Sequence, residues 1–263
     1  MNIIDGRKIA EEIKKKLREK LKSFDRQLKL AIIYAGKNPA IDQFLKIKKD
    51  FGEEIGVKVN IYRYADDITA EKLLTEIKKV SNSSSGVIVQ LPLPEGLPVE
   101  EILAAIPKER DVDALSGSSL FESPVVLAVR EIFSRYGIKL ENKTIAVVGR
   151  GRLVGGPIIR SLLKEGHSPI VINKENPDFS KLRKADIIIS GAGTQGLIKK
   201  EMIKEGVVLI DAGTSESYGK ISGDVDPGCY AAASLYTRVP GGIGPITVAK
   251  LYENLLKRGQ GEF

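Results

Sequence analysis

Short runs of Val and Ile alternate along this chain with segments of helical periodicity, and this alternation constrains the fold more than any other feature. In the second half the runs are almost wholly apolar, which is typical of parallel strands buried on both faces of a sheet. Parallel strands need crossover connections, and the intervening segments have helical spacing. The predicted strands here are 144–148, 170–172, 187–189 and 207–210, with helices at 155–164, 179–182 and 200–203.

The first half shows the same alternation. Its predicted helices are 8–21, 39–55, 69–80, 98–106 and 124–136, and its predicted strands are 30–35, 57–64 and 86–93. We expect a last amphipathic helix, 246–256, to pack back on this first half. The pattern therefore predicts an α/β protein of two lobes, joined near residues 121–138.

The low number of Cys and His residues excludes several kinds of site. With one of each, the chain can form neither a disulfide framework nor a Cys/His zinc site.

No apolar run approaches the ~20 residues of a membrane span, and the first residues lack a signal-peptide pattern, so we expect a cytosolic protein. The net charge of +7 is spread over mixed signs, without the basic and aromatic clusters that indicate nucleic-acid binding.

A glycine-rich turn follows the predicted strand that ends at Val148. It runs from Gly149 to Pro157 as G-R-G-R-L-V-G-G-P and leads into a helix. In this context backbone N–H groups approach a phosphate at the positive end of the helix. The third glycine of the generic G-x-G-x-x-G pattern would fall at Val154 and comes one residue later, at Gly155. The turn therefore fits either a nucleotide site or a turn without a ligand.

The residues after the next predicted strand indicate the type of cofactor. An acidic residue there binds the ribose hydroxyls of NAD, whereas cations bind the 2′-phosphate of NADP. Here Asn173 and Lys174 precede Glu175, and Arg150 and Arg152 could also reach such a phosphate. This composition favours NADP over NAD.

A lysine lies within the apolar face of the predicted helix 39–55. At about 100° per residue, Lys48 is the only charge among Ile41, Phe44, Leu45, Phe51, Gly52 and Ile55. Its ammonium is either desolvated and suited to acid/base chemistry, or it extends past the core edge into water. Asp111 and Asp113 are either its polar partners or part of an ordinary turn. The glycine-proline cluster 240–247 fits either a loop against a planar ligand or a turn between lobes.

Six short segments, spread in order over most of the chain, form a set. They are the helix from Pro39 to Lys48, Val89-Gln90-Leu91-Pro92-Leu93-Pro94, Asp111-Val112-Asp113, the turn from Val147 to Pro157, Gly223-Asp224-Val225-Asp226, and the loop from Pro240 to Thr247. Together they resemble the methylenetetrahydrofolate dehydrogenase/methenyltetrahydrofolate cyclohydrolase family. The dinucleotide motif of that family, G-R-S-x-x-V-G-x-P, accounts for the late glycine.

The resemblance implies a folate-binding catalytic lobe, residues 1–120 plus 245–263, and a Rossmann-like NADP-binding lobe, residues 121–244, with a cleft between them. It also implies a cytoplasmic homodimer of one-carbon metabolism and purine biosynthesis that needs no metal. Lys48 would be the catalytic acid/base, Gln90 would hydrogen-bond it and adjust its proton affinity, and Asp113 would hold the pterin ring. The implied substrate contacts are Phe44, Lys48, Gln90, Asp113, Pro245 and Thr247, and the implied cofactor contacts are Gly149, Arg150, Gly151, Val154, Gly155, Lys174, Gly191 and Gly193.

The chain departs from the family pattern at several positions. Phe44 stands where the family has Tyr, and Ala114 stands where it has Gly. Gly151 replaces the motif Ser, Asn173-Lys174 replaces a His-Ser element, and the P-C-T-P-x-G stretch is represented only by residues 121–126. These changes bear on water attack and on 2′-phosphate binding.

The implied function is NADP-dependent oxidation of 5,10-methylene-tetrahydrofolate to 5,10-methenyl-tetrahydrofolate, with hydrolysis to 10-formyl-tetrahydrofolate. Hydride transfer depends mainly on positioning and tolerates the departures better than hydrolysis does. One alternative is therefore a monofunctional dehydrogenase, which could use NAD. Another is a catalytically silent homologue that binds folate or a nucleotide.

Overall fold

The structure, a computed structural model, describes residues 3–217 and 220–261. Along the chain the strands and α-helices are β1 (Ile3–Ile4), α1 (Gly6–Leu21), β2 (Lys29–Ala35), α2 (Pro39–Glu54), β3 (Lys58–Tyr64), α3 (Ala70–Ser83), β4 (Gly86–Val89), α4 (Val99–Ala104), α5 (Pro124–Tyr136), β5 (Ile145–Val148), α6 (Gly155–Lys164), β6 (Ile170–Ile172), β7 (Ile187–Ser190), β8 (Val207–Asp211), β9 (Ser215–Ser217), β10 (Lys220–Ser222), β11 (Ala233–Thr237) and α7 (Ile243–Gln260). The predicted α/β class is confirmed.

The chain divides into two compact units. One comprises Met1–Ala10 with Val125–Thr247, and the other comprises Glu11–Pro124 with Val248–Phe263. We name them the six-stranded unit and the three-stranded unit after their main sheets. This division groups the first ten residues with the six-stranded unit, whereas the sequence-based division groups them with the other lobe.

The six-stranded unit is built on a wholly parallel sheet in the order β1-β11-β8-β7-β5-β6. The chain passes from β5 to β6 on one side and then crosses to β7 on the other side of β5. Such a reversal is a topological switch point, and ligands bind at the carboxyl ends of the strands there. The fold therefore places the turns after β5 and β7 at a favourable position for a ligand.

The three-stranded unit has a parallel sheet in the order β3-β2-β4. The central strand β2 is buried along its length after Lys29, which agrees with its apolar sequence. One face of the sheet packs on α3 and α4 through a core that includes Ile33, Ile77 and Ile102. The last helix contributes its residues from Val248 onward to this unit, as expected from the sequence.

Some predicted elements differ from those observed. The predicted strand at 86–93 ends at Val89, because Pro92 and Pro94 have no N–H to donate to a strand partner. The segments predicted as helices at 179–182 and 200–203 form 3-10 helices, Phe179–Lys184 and Lys200–Met202. Strands β1 and β11 and the antiparallel pair β9–β10 are absent from the sequence-based assignment.

Two kinds of feature are missing from the part of the chain that the structure describes. None of its helices combines the length and apolarity that crossing a membrane requires. Within residues 3–217 and 220–261, no group of three or more His, Cys, Asp or Glu side chains could hold a metal ion.

Candidate active site

Lys48 lies in the middle of α2, at the edge of the core of the three-stranded unit. Leu45 and Phe51 on the same apolar face are buried, whereas Lys48 itself is half-buried. Its Nζ donates a hydrogen bond to Gln90 Oε1 at 2.9 Å. The lysine therefore neither enters the core unpartnered nor extends freely into water.

Gln90 follows the last residue of β4, and its own contacts orient the amide. Its backbone N–H donates to Ile33 O at 2.8 Å, which continues the pairing of β4 with β2. Its Nε2 donates to Leu91 O at 2.8 Å. Because the amide nitrogen is occupied, the amide oxygen is the atom available to Lys48.

The two aspartates of the Asp-Val-Asp segment have different roles. Asp111 is fully buried, and its carboxylate accepts from Leu115 N at 3.3 Å and Ser116 N at 2.8 Å, which closes a turn. Asp113 is half-buried. Burial raises the pKa of Asp113, the positive charge of Lys48 opposes this rise, and Asp111 adds to it. Asp111 thus shapes the loop, and Asp113 is electrostatically coupled to Lys48.

Two buried polar side chains on α7 contact the backbone near these residues, and sequence reasoning missed both. The Tyr252 hydroxyl donates to Lys48 O at 2.5 Å. Asn254 Nδ2 donates to Val112 O and to Glu122 O, each at 2.9 Å. The available signal was Asn254, a polar residue that falls three positions after Leu251 and next to Leu255 on the apolar face of the helix.

The remaining predicted substrate contacts lie on two helices. Phe44 is half-buried on α2, one turn before Lys48. Pro245 and Thr247 are half-buried in the first turns of α7, in the residues assigned to the six-stranded unit. The Thr247 hydroxyl donates to Ile243 O at 3.1 Å, within its own helix.

The glycine turn between β5 and α6 is packed against the turn after β7. A Cβ on Gly149, whose φ is +92°, would lie 2.6 Å from Gly191 O, and one on Gly155 would lie 2.0 Å from Gly149 O. A Cβ on Gly191 would lie 2.2 Å from Val154 Cγ1. Contacts this short admit only glycine, so the two turns meet backbone to backbone at the switch point. Gly151, in contrast, has no atom within 4 Å of its Cβ position.

Two cations follow the adjacent strands β5 and β6. Strands β5 and β6 are paired up to their last residues, Val148 and Ile172. Arg150 and Lys174 each lie two residues beyond these strand ends, and both side chains are exposed. Asn173 Nδ2 donates to Glu175 Oε2 at 2.9 Å, so the acidic group that could bind a ribose hydroxyl is engaged by its neighbour. Gly193, after β7, is exposed with a φ of +69°.

Comparison with known proteins decides the family. The model described as tetrahydrofolate dehydrogenase/cyclohydrolase, catalytic domain, matches residues 4–113, and the one described as the NAD(P)-binding domain of the same family matches residues 124–262. The chain belongs to this family. The resemblance stated from the six sequence segments is thereby confirmed.

Individual members of the tetrahydrofolate dehydrogenase/cyclohydrolase family align over almost the whole chain. The bifunctional protein FolD of Halothermothrix orenii is 34% identical over 273 residues, which cover 97% of this chain and 96% of that protein. The crystal structure of the bifunctional enzyme FolD from Campylobacter jejuni is 35% identical, covers 99% of each chain and has a TM-score of 0.91. The Trypanosoma brucei enzyme, complexed with NADP and an inhibitor, is 28% identical, covers 99% of this chain and 97% of its own, and has a TM-score of 0.93.

The six-stranded unit fits the dinucleotide that this family uses. A side chain at position 149, 155 or 191 would collide with neighbouring atoms of these turns, so glycine at the three positions lets the turns approach closely at the switch point. The turn precedes α6, whose N-terminal N–H groups favour an anion. Arg150 and Lys174 supply positive charge after the neighbouring strands.

A buried carboxylate, Asp224, organises the loop after β7, and sequence reasoning gave it no role beyond its place in a family segment. It accepts from Ser190 Oγ at 2.6 Å, Ala192 N at 2.7 Å and Thr194 N at 2.7 Å. These three donors flank Gly191 and Gly193. Asp224 therefore holds the candidate cofactor loop in place.

A second buried carboxylate, Asp211 at the end of β8, holds the segment that contains Asp224. It accepts from the backbone N–H groups of Gly213, Asp224 and Val225 at 3.0, 3.1 and 2.9 Å. Burial raises the pKa of Asp211 to about 6, against the opposing effect of these N–H donors. The two carboxylates form one network that connects β7, β8 and the loop before Val225.

Proposed function

We propose that this protein oxidises 5,10-methylene-tetrahydrofolate with NADP⁺ to 5,10-methenyl-tetrahydrofolate and hydrolyses that product to 10-formyl-tetrahydrofolate. The observation that carries the proposal is the 2.9 Å hydrogen bond from Lys48 Nζ to Gln90 Oε1 in a member of this family. The full-length similarity to bifunctional FolD proteins supports both activities.

NADP⁺, when bound, supplies the hydride acceptor. The residues proposed to hold it are those that the resemblance indicates: Gly149, Arg150, Gly151, Val154, Gly155, Lys174, Gly191 and Gly193. The closely packed glycine turns and the N-terminus of α6 suit a pyrophosphate. Arg150 and Lys174 are the proposed partners of the 2′-phosphate, and a phosphate there favours NADP over NAD.

Lys48 is the proposed acid/base group. Loss of hydride from the one-carbon bridge leaves a methenyl cation, and water attack on its carbon forms a C–O bond. Cleavage of the bond between that carbon and the ring nitrogen then gives the formyl product, with one hydrogen of the water on the nitrogen and the other released as a proton. The Lys48 amine, oriented by Gln90, accepts and returns the proton during these steps.

The other proposed substrate contacts position the folate. Asp113, whose carboxyl has a raised pKa, would hydrogen-bond the pterin ring, and Phe44 would stack against it. Pro245 and Thr247 are proposed as further contacts. On the family resemblance we assign folate binding to residues 1–120 with 245–263, and NADP binding to residues 121–244.

We also propose a cytoplasmic homodimer that serves one-carbon metabolism and purine biosynthesis. The family resemblance supports these points.

The test uses the purified protein, 5,10-methylene-tetrahydrofolate, and NADP⁺ or NAD⁺ in parallel. Reduced nicotinamide and methenyl absorbance are followed together, and the spontaneous hydrolysis rate is subtracted. We expect reduction with NADP⁺ and no accumulation of the methenyl compound, and we expect Lys48→Met to abolish its hydrolysis. Absence of reduction with either cofactor would contradict the proposal and leave a protein that only binds these ligands.

One observation favours a second candidate, a monofunctional dehydrogenase. Phe44 lacks the hydroxyl that the family has one turn before the lysine, and that hydroxyl can relay a proton to the amine. In the same assay this alternative predicts reduction of the nicotinamide with accumulation of the methenyl compound.

A further inference from the structure

Helix α7 contacts the backbone at Lys48, the candidate acid/base residue, and directly before Asp113, the candidate pterin contact. Tyr252 Oη donates to Lys48 O at 2.5 Å, and Asn254 Nδ2 donates at 2.9 Å to the carbonyl of Val112, the residue directly before Asp113. Residues two apart on a helix point about 200° from each other. The two side chains therefore bind opposite sides of α7, with α2 on one side and the 112–113 loop on the other.

The contact between Tyr252 and α2 is closely packed. Tyr252 is 1% exposed, and its ring stacks on Phe51 with centroids 5.2 Å apart and planes at 18°. A Cβ on Gly52 would lie 2.3 Å from the tyrosine hydroxyl oxygen. Glycine is unfavourable inside a helix, and here it provides the space that the hydroxyl occupies. Because Lys48 O already lies in the helical hydrogen-bond pattern, the phenol is a second donor to it.

The contact on the other side of α7 is equally enclosed. Asn254 is 1% exposed, and its Nδ2 donates to Glu122 O at 2.9 Å as well as to Val112 O. A Cβ on Gly86 of β4 would lie 2.7 Å from Leu255 Cδ1 and 2.9 Å from Val112 Cγ1. The loop that carries Asp113 is therefore held between β4 and α7.

We propose that α7, through Tyr252 and Asn254, fixes Lys48 and Asp113 relative to each other. Both are positioning residues, because they bind the backbone and leave the reacting groups free for substrate. This inference rests on the proposed catalytic role of Lys48. A displacement of about 1 Å at a reacting group costs on the order of 100-fold in rate, so the loss of either donor affects turnover through geometry.

The first test compares two buried tyrosines. Tyr252→Phe removes only the hydroxyl, and we expect the kcat of methenyl hydrolysis to fall about tenfold while the KM for folate changes less than about twofold. Tyr34→Phe is the matched control: Tyr34 is 1% exposed, and its hydroxyl has no hydrogen-bond partner among the described residues. Equal kcat values for the two variants would overturn the proposal.

Two further variants separate geometry from general destabilisation. Gly52→Ala displaces the hydroxyl without removing it and is expected to lower kcat as Tyr252→Phe does, with no further loss in the double variant. Ile77→Val weakens the core on the α3 face of the same sheet, and its kcat is expected to remain unchanged. A kcat loss in Ile77→Val equal to that in Tyr252→Phe would show that destabilisation alone explains the effect.

Asn254→Leu tests the second contact. It keeps the approximate shape of the side chain and removes the donor to Val112 O. Because Asp113 is the proposed pterin contact, we expect the KM for folate to rise about tenfold. An unchanged KM and kcat would remove Asn254 from the proposal.

A measurement without turnover distinguishes this inference from the proposed function. The NMR resonance of the ¹³C-methylated Lys48 amine, assigned by its absence in Lys48→Arg, is expected to shift in Tyr252→Phe and not in Tyr34→Phe. Full activity of Lys48→Met would contradict the catalytic role of Lys48. In that case the shift of the resonance in Tyr252→Phe would by itself show whether Tyr252 positions the Lys48 amine. An inactive Lys48→Met, combined with wild-type kcat and an unshifted resonance in Tyr252→Phe, would overturn only the positioning role.

Discussion

At the scale of the residue, Phe44 is the substitution closest to the proposed chemistry. We expect Phe44→Tyr to raise cyclohydrolase turnover by about tenfold, because a hydroxyl one turn before Lys48 adds a proton relay. Dehydrogenase turnover should stay within about twofold, since hydride transfer depends on positioning. Phe24→Tyr, beside Gly259, adds the same group elsewhere in the unit and serves as the control. Unchanged cyclohydrolase turnover in Phe44→Tyr would mean that the missing hydroxyl does not limit the reaction.

Lys174 is the residue expected to discriminate between the two nicotinamide cofactors. Lys174→Ala should weaken NADP⁺ binding by roughly tenfold, which corresponds to about 1.4 kcal/mol, and should leave NAD⁺ binding unchanged. Isothermal titration with each cofactor measures this difference. Lys164→Ala, an exposed lysine in the last turn of α6, is the control for loss of surface charge. Equal effects on both cofactors would favour the NAD-dependent alternative.

Ala114 holds a backbone conformation that suits glycine. Its φ is +57°, in the left-handed region, where an alanine costs about 1–2 kcal/mol. Relief of this strain by Ala114→Gly is partly offset, because glycine makes the unfolded chain more flexible. We therefore expect the free energy of unfolding to rise by about 0.5–1 kcal/mol. Urea unfolding measures the gain. Asn142→Gly is the control, because Asn142 has a φ of +58° and asparagine tolerates this conformation better than alanine does. A gain in unfolding free energy for Asn142→Gly equal to that for Ala114→Gly would contradict the reasoning.

At the scale of the element, the turn between β5 and α6 gives the sharpest contrast between neighbouring glycines. Gly155→Ala places a Cβ 2.0 Å from Gly149 O, whereas the Cβ of Gly151→Ala has nothing within 4 Å. We expect Gly155→Ala to lose about 1–3 kcal/mol of stability and at least roughly tenfold in NADP⁺ affinity. Gly151→Ala should retain both, because the family motif has Ser at this position and therefore accommodates a Cβ beside the bound cofactor. Equal NADP⁺ affinity of the two variants in titrations would show that the turn does not hold the cofactor.

The elements that could be predicted from sequence are those with a continuous local pattern. The apolar runs of β5 and β7 are wholly buried, and the helical spacing of α2 and α6 gives helices close to the predicted bounds. Strand β11 has no such run, since only its two end residues are buried, and β1 has two residues. Their place in the sheet depends on partners distant in sequence.

The same limit applies to the candidate site. Lys48 stands out because a charge interrupts an apolar stripe on one helix, and Gln90 and Asp113 follow from the family motifs. Tyr252 and Asn254 act over hydrogen bonds that join residues 204 and 142 positions apart, and periodicity carries no information at that range. The network of Asp211 and Asp224 was missed for the same reason.

At the scale of the whole molecule, the buried carboxylate of Asp211 makes stability depend on pH. Its pKa is about 6 in the folded protein and about 3.9 in an unfolded chain. Because the folded value is raised, the stability that this group contributes is fully present below about pH 4 and is lost as the pH rises through about 6. In Asp211→Asn, residue 211 cannot ionise. Between pH 4 and pH 7 we therefore expect the free energy of unfolding of the protein to fall on the order of 2–3 kcal/mol more than that of Asp211→Asn.

Urea unfolding at several pH values measures this difference. Asp186→Asn is the control, because hydrogen bonds from Lys204 and Thr144 lower the pKa of Asp186, and its contribution is lost only as the pH falls below about 4. Parallel pH profiles for the protein and Asp211→Asn would show that Asp211 stays ionised throughout the range.

The interrupted course of the three-stranded unit has a consequence for synthesis on the ribosome. Its two parts, Glu11–Pro124 and Val248–Phe263, are separated by the greater part of the other unit. At about 5–20 residues per second, translation completes the six-stranded unit before Tyr252 and Asn254 exist. The six-stranded unit is therefore the first whose residues are all synthesised, and the two side chains proposed to position Lys48 and Asp113 are added after it.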